Sequence, residues 1–282
     1  MESIVLASLS AICYTTYNVL GRVYSINSNN ARAFSVVWGS ICTLLLLPLI
    51  PFYIKGWNIS DAPRYILIAL LISVFFYALY DRTQFAVRKY LQASETALLY
   101  QISPVASLLT LWLFLGEEPT LIKILAALFI LLGNGIALGP TKSNILKRGV
   151  ILGLFSFSVL GIALAIDKLG SSIIPIPLYA AAVYALPTIF NISVPPMQIK
   201  TIIFESKGKL LKILLLAISN VAATLFLYSA FRLGDGGTVL LIVSSSTLLS
   251  VLFGIVLLRE HNNLYKKGIA TIFVSIGLML LV

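Results

Sequence analysis

Long apolar runs, cut at intervals by charges, prolines and glycines, dominate this chain. Dividing it at those interruptions leaves about ten stretches, each near the roughly 20 residues an α-helix needs to cross a bilayer. They fall near 3–24, 33–54, 64–88, 93–115, 120–138, 149–167, 175–194, 210–231, 236–258 and 264–282. Most connections are short. The exception, Pro195 to Lys209 (PPMQIKTIIFESKGK), mixes charges with apolar residues and predicts a helix lying at the membrane interface. No segment is polar enough or long enough for a separate soluble domain, so the pattern predicts an all-α chain from end to end.

The pattern also recurs. Phe85–Thr120 and Ser229–Asn263 lie about 143 residues apart and share an Ala-apolar-Arg opening, Ala86-Val87-Arg88 and Ala230-Phe231-Arg232, and a glutamate near the end, Glu117 and Glu260. Ser10 and Arg22 in the first stretch are echoed by Ser156 and Lys168 in the sixth, and Lys123 and Gly133 in the fifth by Lys267 and Gly277 in the tenth. The halves read as homologous repeats, 1–140 and 147–282, of five stretches each. An odd number makes the second copy enter the membrane from the opposite side. The expected fold is therefore an all-α membrane protein with ten transmembrane helices as two inverted five-helix repeats, and a shared site at the midplane between them.

Composition sharpens the class. With 59% hydrophobic and 11% charged residues and a mean hydropathy of +1.00, the chain is too apolar to expose its surface to water. A net charge of +10 would suggest nucleic acid in a soluble protein. Here the Lys and Arg sit between apolar runs, where they read as lipid headgroup contacts and topology markers, and no nucleic-acid partner is expected. Cys13 and Cys42 fall inside apolar stretches and read as packing residues. Only Glu2 is charged ahead of the first run, without the basic start of a signal peptide, so that span is expected to be retained.

These residues resemble the EamA-like members of the drug/metabolite transporter superfamily. The resemblance rests on Ala86, Val87, Arg88, Lys89 and Tyr90, then Ala93, Pro104 and the Leu115-Gly116-Glu117 turn, with Ala230, Phe231, Arg232, Leu258 and Glu260 as the second copy. It covers essentially the whole chain. The second copy departs at Thr247, where the first has Pro104, and at Arg259-Glu260, where the first has Gly-Glu; the arginine usual inside the second span is replaced near Val36 to Trp38. The resemblance implies a central cavity lined by spans 1, 3, 4, 6, 8 and 9, with 5 and 10 peripheral, in a plasma-membrane protein whose termini are both cytoplasmic.

Helical faces supply candidates for that cavity. In span 3, Tyr77, Tyr80, Asp81, Gln84 and Arg88 share one side of a segment otherwise rich in Leu, Ile, Val and Phe. A charge at membrane depth is costly unless paired or hydrated, which makes Asp81 with Arg82 the leading functional signal. The plain alternative is that Arg82 snorkels or pairs with a neighbouring helix and Asp81 satisfies it. Span 4 carries Thr96, Tyr100, Ser103 and Ser107, and span 9 carries Ser244, Ser245, Ser246, Thr247 and Ser250. Such hydroxyls either bind a polar solute or let helices approach closely. Pro104 removes a backbone hydrogen bond and predicts a bend. Span 1 adds Ser10, Tyr14, Tyr17 and Gly21, span 2 adds Trp38, and span 8 adds Asn220, Thr224 and Tyr228. Aromatic rings at this depth either cage an organic solute or anchor the helix at an interface. The candidate substrate cavity is thus Tyr14, Tyr17, Trp38, Tyr77, Tyr80, Asp81, Gln84, Tyr100, Ser103, Thr224, Tyr228 and Ser246. Asp167 beside Lys168 reads as a solvated end of span 6, and Arg88 and Arg232 as anchors at span ends. Glu117 and Glu260 read as caps that close helical hairpins on opposite sides of the membrane, unable to act as an acid/base pair.

Enzyme chemistry finds little to use. His261 is the single histidine, and no Gly-rich loop carries a Lys and Ser/Thr at P-loop spacing. No catalytic residue, metal ligand set or cofactor is expected. Transport would run downhill, by exchange or on an ion gradient, with Asp81 the candidate for proton coupling and Arg82 opposing that role. The expected function is alternating-access transport of small organic metabolites, amino acids or related solutes, in the sense of export, by a monomer or homodimer in the lipid bilayer. Two other classes remain open: a structural or assembly membrane subunit, whose polar faces would meet packed helices, and a lipid-handling membrane protein, which needs clustered ionisable groups at one interface. Orientation carries a conflict. Roughly fifteen Lys and Arg fall in odd-numbered connections against about five in even ones, which favours both termini outside. The adopted reading follows the resemblance, with both termini cytoplasmic.

Overall fold

The computed structural model describes residues 1–116, 120–138, 144–260 and 264–280, and the regular elements among them are all helical. The first half contains α1 (Glu2–Ser25), α2 (Ala31–Leu46), the short α3 (Ile50–Tyr53), α4 (Arg64–Tyr90), α5 (Ala93–Tyr100), α6 (Ile102–Leu115) and α7 (Leu121–Leu138). The second contains α8 (Asn144–Ile173), α9 (Ile176–Ser193), α10 (Ile199–Ser206), α11 (Leu210–Leu233), α12 (Gly236–Ser244), α13 (Ser246–Val256) and α14 (Leu264–Met279). Eight helical stretches are long and apolar enough to cross a membrane, and α7 and α14 are apolar but shorter over their described residues. The expected interfacial helix is α10. Its buried Glu205 accepts from the backbone N–H groups of Asn29 and Asn30 at 3.0 and 3.1 Å and pairs with Lys209 at 2.7 Å, which ties it to the start of α2. Glu117 and His261 lie outside the described residues.

Polar and apolar residues are distributed inside out. On α4, Ile68, Leu71, Ile72 and Phe75 are exposed, while Ser73, Asp81, Gln84 and Arg88 are buried. A helix in water would do the reverse; in lipid the apolar face costs nothing and the polar one must find partners inside the bundle. Local caps agree with this arrangement. Asn30 accepts from Arg32 and Ala33 N–H to start α2, Asp235 accepts from Thr238 N–H at 2.8 Å to start α12, and Gly116, at φ +71°, ends α6 in the left-handed region.

The helices pair across the two halves of the chain: α1 packs on α11, α4 on α8, α2 on α9 and α7 on α14. The last pair shows why small residues stand where they do. A Cβ on Gly133 would come within 2.9 Å of the Ala270 carbonyl oxygen, and one on Gly277 within 2.8 Å of that of Ala126. The two glycines are therefore reciprocal contact points that let two backbones meet.

Two spans are broken in the middle. Span 4 divides into α5 and α6 at Gln101, and span 9 into α12 and α13 at Ser245. Pro104 explains the first, because it offers no N–H to the carbonyl of Tyr100. The second has no proline. Its freed carbonyls are taken up from outside: Gln101 Nε2 donates to the Ser244 carbonyl at 2.9 Å and to Thr247 Oγ1, and Thr15 Oγ1 donates to the Ser246 carbonyl at 3.3 Å. Thr247 Oγ1 in turn donates to the Ala97 carbonyl at 3.3 Å. The two breaks thus lie against each other and share hydrogen bonds, a partial answer to the need of irregular backbone at membrane depth for partners inside the protein.

Glu260 does act as a cap, but of a helix in the opposite half. Its carboxylate accepts from Ala93 N–H at 2.6 Å, Ser94 N–H at 2.9 Å and Ser94 Oγ at 2.6 Å, the first turn of α5. Buried Lys267 completes the junction by donating to Gln92 Oε1 at 2.8 Å and to the Glu260 carbonyl at 3.1 Å.

Candidate functional site

A cavity lies among α1, α2, α4, α5, α8, α9 and α11. Its open space is about 40 Å³, room for a few waters and well short of the several hundred Å³ that an organic ligand occupies. Nine of the twelve candidates line it: Tyr14 and Tyr17 from α1, Trp38 from α2, Tyr77, Tyr80 and Asp81 from α4, Tyr100 from α5, and Thr224 and Tyr228 from α11. Asn18, Tyr184 and Asn220 add polar groups, and Leu160, Leu164 and Val183 close the wall. Gln84, Ser103 and Ser246 are buried but do not line the cavity. Ser103 sits where α6 meets α8, its carbonyl against Gly161, and Ser246 sits where α13 meets α1. Both residues thus stand at helix–helix contacts, as small polar residues do in membrane proteins, with their hydroxyls buried and without a protein hydrogen-bond partner.

Rings pack closely around the cavity, edge to face except for the tilted pair Trp38–Tyr17. Trp38 lies 5.7 Å from Tyr17 and 5.6 Å from each of Phe85 and Tyr184, and Tyr100 lies 5.4 Å from Phe157. Tyr184 shares a 2.6 Å hydrogen bond with Thr224 and accepts from Asn220 Nδ2. The Trp38 indole N–H, by contrast, is buried without a protein partner. A donor left open beside a cavity is available to water or solute.

Asp81 does not pair with Arg82. Adjacent positions on a helix diverge by about 100°, whereas positions three and four apart are neighbours. Gln84 accordingly donates to Asp81 Oδ1 at 2.6 Å and accepts from Arg88 Nη1 at 2.7 Å, and the Tyr17 hydroxyl donates to the same Gln84 oxygen at 2.5 Å. Gln84 is a relay between a carboxylate and a guanidinium. Arg82 points away and donates to the Val194 carbonyl at the end of α9.

Arg88 is likewise no surface anchor, being only 1% exposed. Its guanidinium carbon lies 4.8 Å from the Tyr17 ring centre, and Nη2 donates to Asn18 Oδ1 at 3.2 Å. Gly21 makes this possible, since a Cβ there would stand 3.1 Å from Arg88 Cδ and Nε. Its counterpart Arg232 is exposed and donates at 2.7 Å to the carbonyls of Ser171 and Ile174, where α8 ends.

The largest correction concerns Asp167. α8 continues through Ile173, so Asp167 is interior to the helix and fully buried. Its Oδ1 accepts from Ser73 Oγ at 2.6 Å and Tyr179 OH at 2.8 Å, and its Oδ2 from Tyr77 OH at 2.5 Å and Tyr228 OH at 2.7 Å. Four donors fill the four lone-pair positions of a carboxylate. The available signal was the span's apolar continuation past Lys168, through Leu169 and Gly170 to Ile173 and Ile174. Tyr184 was also missed, because α9 carried no charge to draw notice to its inner face.

Residues 1–138 match the EamA-like transporter family. That family is a branch of the drug/metabolite transporter superfamily, and the match covers just under half of the 282 residues. A solved crystal structure of a protein is similar over 99% of this chain and 97% of its own, with a TM-score of 0.71 at 14% identity, a likeness of fold alone. No curated protein matches the sequence. With its apolar helices, its inverted polarity and an EamA-like first half, the chain is an integral, multi-pass membrane protein. Among its described residues no three of His, Cys, Asp and Glu gather to hold a metal ion.

Proposed function

We propose that the chain is a secondary transporter that carries small organic metabolites, amino acids or related solutes, through the central cavity by alternating access. The carrying observation is the cavity itself: helices of both halves surround it, and tyrosines, a tryptophan and Asp81 line it. A structural subunit would have its polar faces packed solid; here they enclose water-sized space beside an unpartnered indole N–H. In this reading 1–140 and 147–282 are inverted repeats of five spans each, with α7 and α14 as spans five and ten. The reciprocal pairs α1 with α11 and α4 with α8, and the matching breaks in spans 4 and 9, are what such symmetry would produce. The twelve candidates form the binding region, nine directly and Gln84 through Asp81 and Arg88, with Ser103 and Ser246 at the helix contacts that must shift when the cavity opens. The closed 40 Å³ space is then an occluded state that widens to admit solute.

The reading places both termini in the cytoplasm of a plasma-membrane monomer or homodimer that exports by exchange or proton coupling. Counterflow into proteoliposomes, with a panel of amino acids, amines, nucleosides and sugars, tests the central claim. Saturable exchange that weakens in Tyr77→Ala or Trp38→Ala supports it; a folded protein that exchanges none of the panel sinks it.

A further inference from the structure

We infer that Asp167 is the docking carboxylate for a protonated nitrogen on the cargo, which makes the transported class organic amines and amino acids with a free ammonium group. The inference rests on the transport reading and deepens it. Its foundation is the asymmetry of one carboxylate. Oδ1 is held by Ser73 and Tyr179, neither of which lines the cavity, so that side is fastened to the wall. Oδ2 is held by Tyr77 and Tyr228, both of which line the cavity. Only two phenol hydroxyls therefore separate Oδ2 from the central space. Tyr77 is only partly buried, so a turn about its Cα–Cβ bond would carry its hydroxyl off Oδ2 while Tyr228 stays in place, and an ammonium brings three donors to replace what is removed.

Charge points the same way. Asp81 already has a basic counterpart, since Gln84 connects it to Arg88. Asp167 is held by four neutral hydroxyls, which spread its charge without cancelling it. One acid with a relayed base and one acid with hydroxyl partners alone make Asp167 the carboxylate whose missing complement is a cation, in a medium that screens little. A cation gains there, an anion is repelled, and a neutral solute offers Asp167 nothing beyond what its hydroxyls supply. The open Trp38 N–H provides a donor for a carboxylate or hydroxyl elsewhere on the solute.

Counterflow with matched probes tests this in the full-length protein in proteoliposomes. Phenylethylamine, leucine and putrescine would each be compared with the fully N-acetylated form, which keeps the carbon skeleton and loses the charge. The wild type should exchange at least one free amine and discriminate against its acetylated partner by about a hundredfold or more, as sites built around a buried hydrogen-bonding group do. Asp167→Asn, which keeps the size of the side chain but exchanges one accepting oxygen for a donating NH2 and removes the charge, should lower exchange of the amine by about thirtyfold or more. Equal exchange of acetylated and free forms, or an Asp167→Asn protein as active as wild type, overturns the assignment while leaving transport intact. No exchange of any probe or of the wider panel by folded wild type defeats the transport reading and this inference together. If Asp167→Asn fails to fold, the wild-type comparison of free and acetylated probes decides alone.

Discussion

Removing the guanidinium of Arg88 isolates the Asp81–Gln84–Arg88 relay as a stability element. Arg88→Met keeps a long, flexible, apolar side chain in the space beside Gly21 and deletes the charge. Three losses follow from the geometry: the 2.7 Å bond to Gln84, the 3.2 Å bond to Asn18 and the stack 4.8 Å from the Tyr17 ring. More important, Asp81 is left buried without its relayed countercharge. Breaking a buried ionic arrangement by deleting one partner costs about 3–5 kcal/mol. The stack and the Asn18 bond account for about 1–2 kcal/mol of that. The remainder, about 2 kcal/mol, belongs to the uncompensated acid and should vanish when the acid is also neutralised. Arg88→Met with Asp81→Asn should therefore be more stable than Arg88→Met alone by about 2 kcal/mol, more than a tenfold change in the folding equilibrium. Reversible unfolding in mixed micelles of the wild type, both single variants and the double variant closes the cycle. A coupling energy within about 0.3 kcal/mol of zero, the scatter of independent sites, would mean that Gln84 transmits nothing and that the relay is only a row of neighbours.

Gly133→Val or Gly277→Val drives a side chain against the facing helix and should cost about 1–3 kcal/mol, seen as a lower midpoint of thermal unfolding; an unchanged midpoint would refute the close contact of α7 and α14. Glu260→Ala bares two N–H groups and a hydroxyl at the start of α5 and should cost about 2–3 kcal/mol, with Glu260→Gln recovering part of it; equal stability of Ala and Gln variants would show that the carboxylate does no capping. Trp38→Phe keeps a ring in place and removes only the unpartnered N–H, so stability should hold within about 0.5 kcal/mol, while half-saturation in counterflow rises; a loss of folding without an effect on exchange would mean the indole is simply core. Gln101→Leu removes the donor shared by Ser244 and Thr247 and should cost about 1–2 kcal/mol in membrane-mimetic unfolding; no loss would mean that water replaces it.

Much of the fold could be read directly because a bilayer permits few alternatives. Apolar runs near span length, bounded by charges, become helices almost wherever they occur. Even the contact of α7 with α14 left a trace in the repeated Gly133 and Gly277. Readings failed where a charge was taken as punctuation. Lys168 marked a span end that α8 passes straight through, and Arg88 marked another that α1 covers, with Gly21 making room. Neither outcome is local: a buried Asp167 needs hydroxyls from α4, α9 and α11, and no window around residue 167 contains them. Asp81 was found because its neighbours are apolar, but its partner was misassigned to the adjacent residue when helix geometry favours positions 84 and 88. Ser103 and Ser246 were placed on cavity faces by assuming continuous helices, and the breaks at Gln101 and Ser245 change the register at which they point.

Arg88 and Arg232, expected from the sequence to correspond in the two halves, sit in different settings, and the difference bears on kinetics. Arg88 is sealed between Tyr17, Asn18 and Gln84, while Arg232 lies exposed against helix-end carbonyls. A carrier whose halves swap conformations during its cycle would have to unseat one arginine from an aromatic, fully buried seat and the other only from two helix-end carbonyls. The two mouths would then face unequal activation barriers, and an unloaded carrier would rest with the Arg88 mouth shut for most of the time. Detailed balance forbids such a bias from accumulating cargo by itself. It does allow half-saturation measured from one face of the membrane to differ from that on the other, so that a passive exchanger can be tuned to the side on which its solute is scarce.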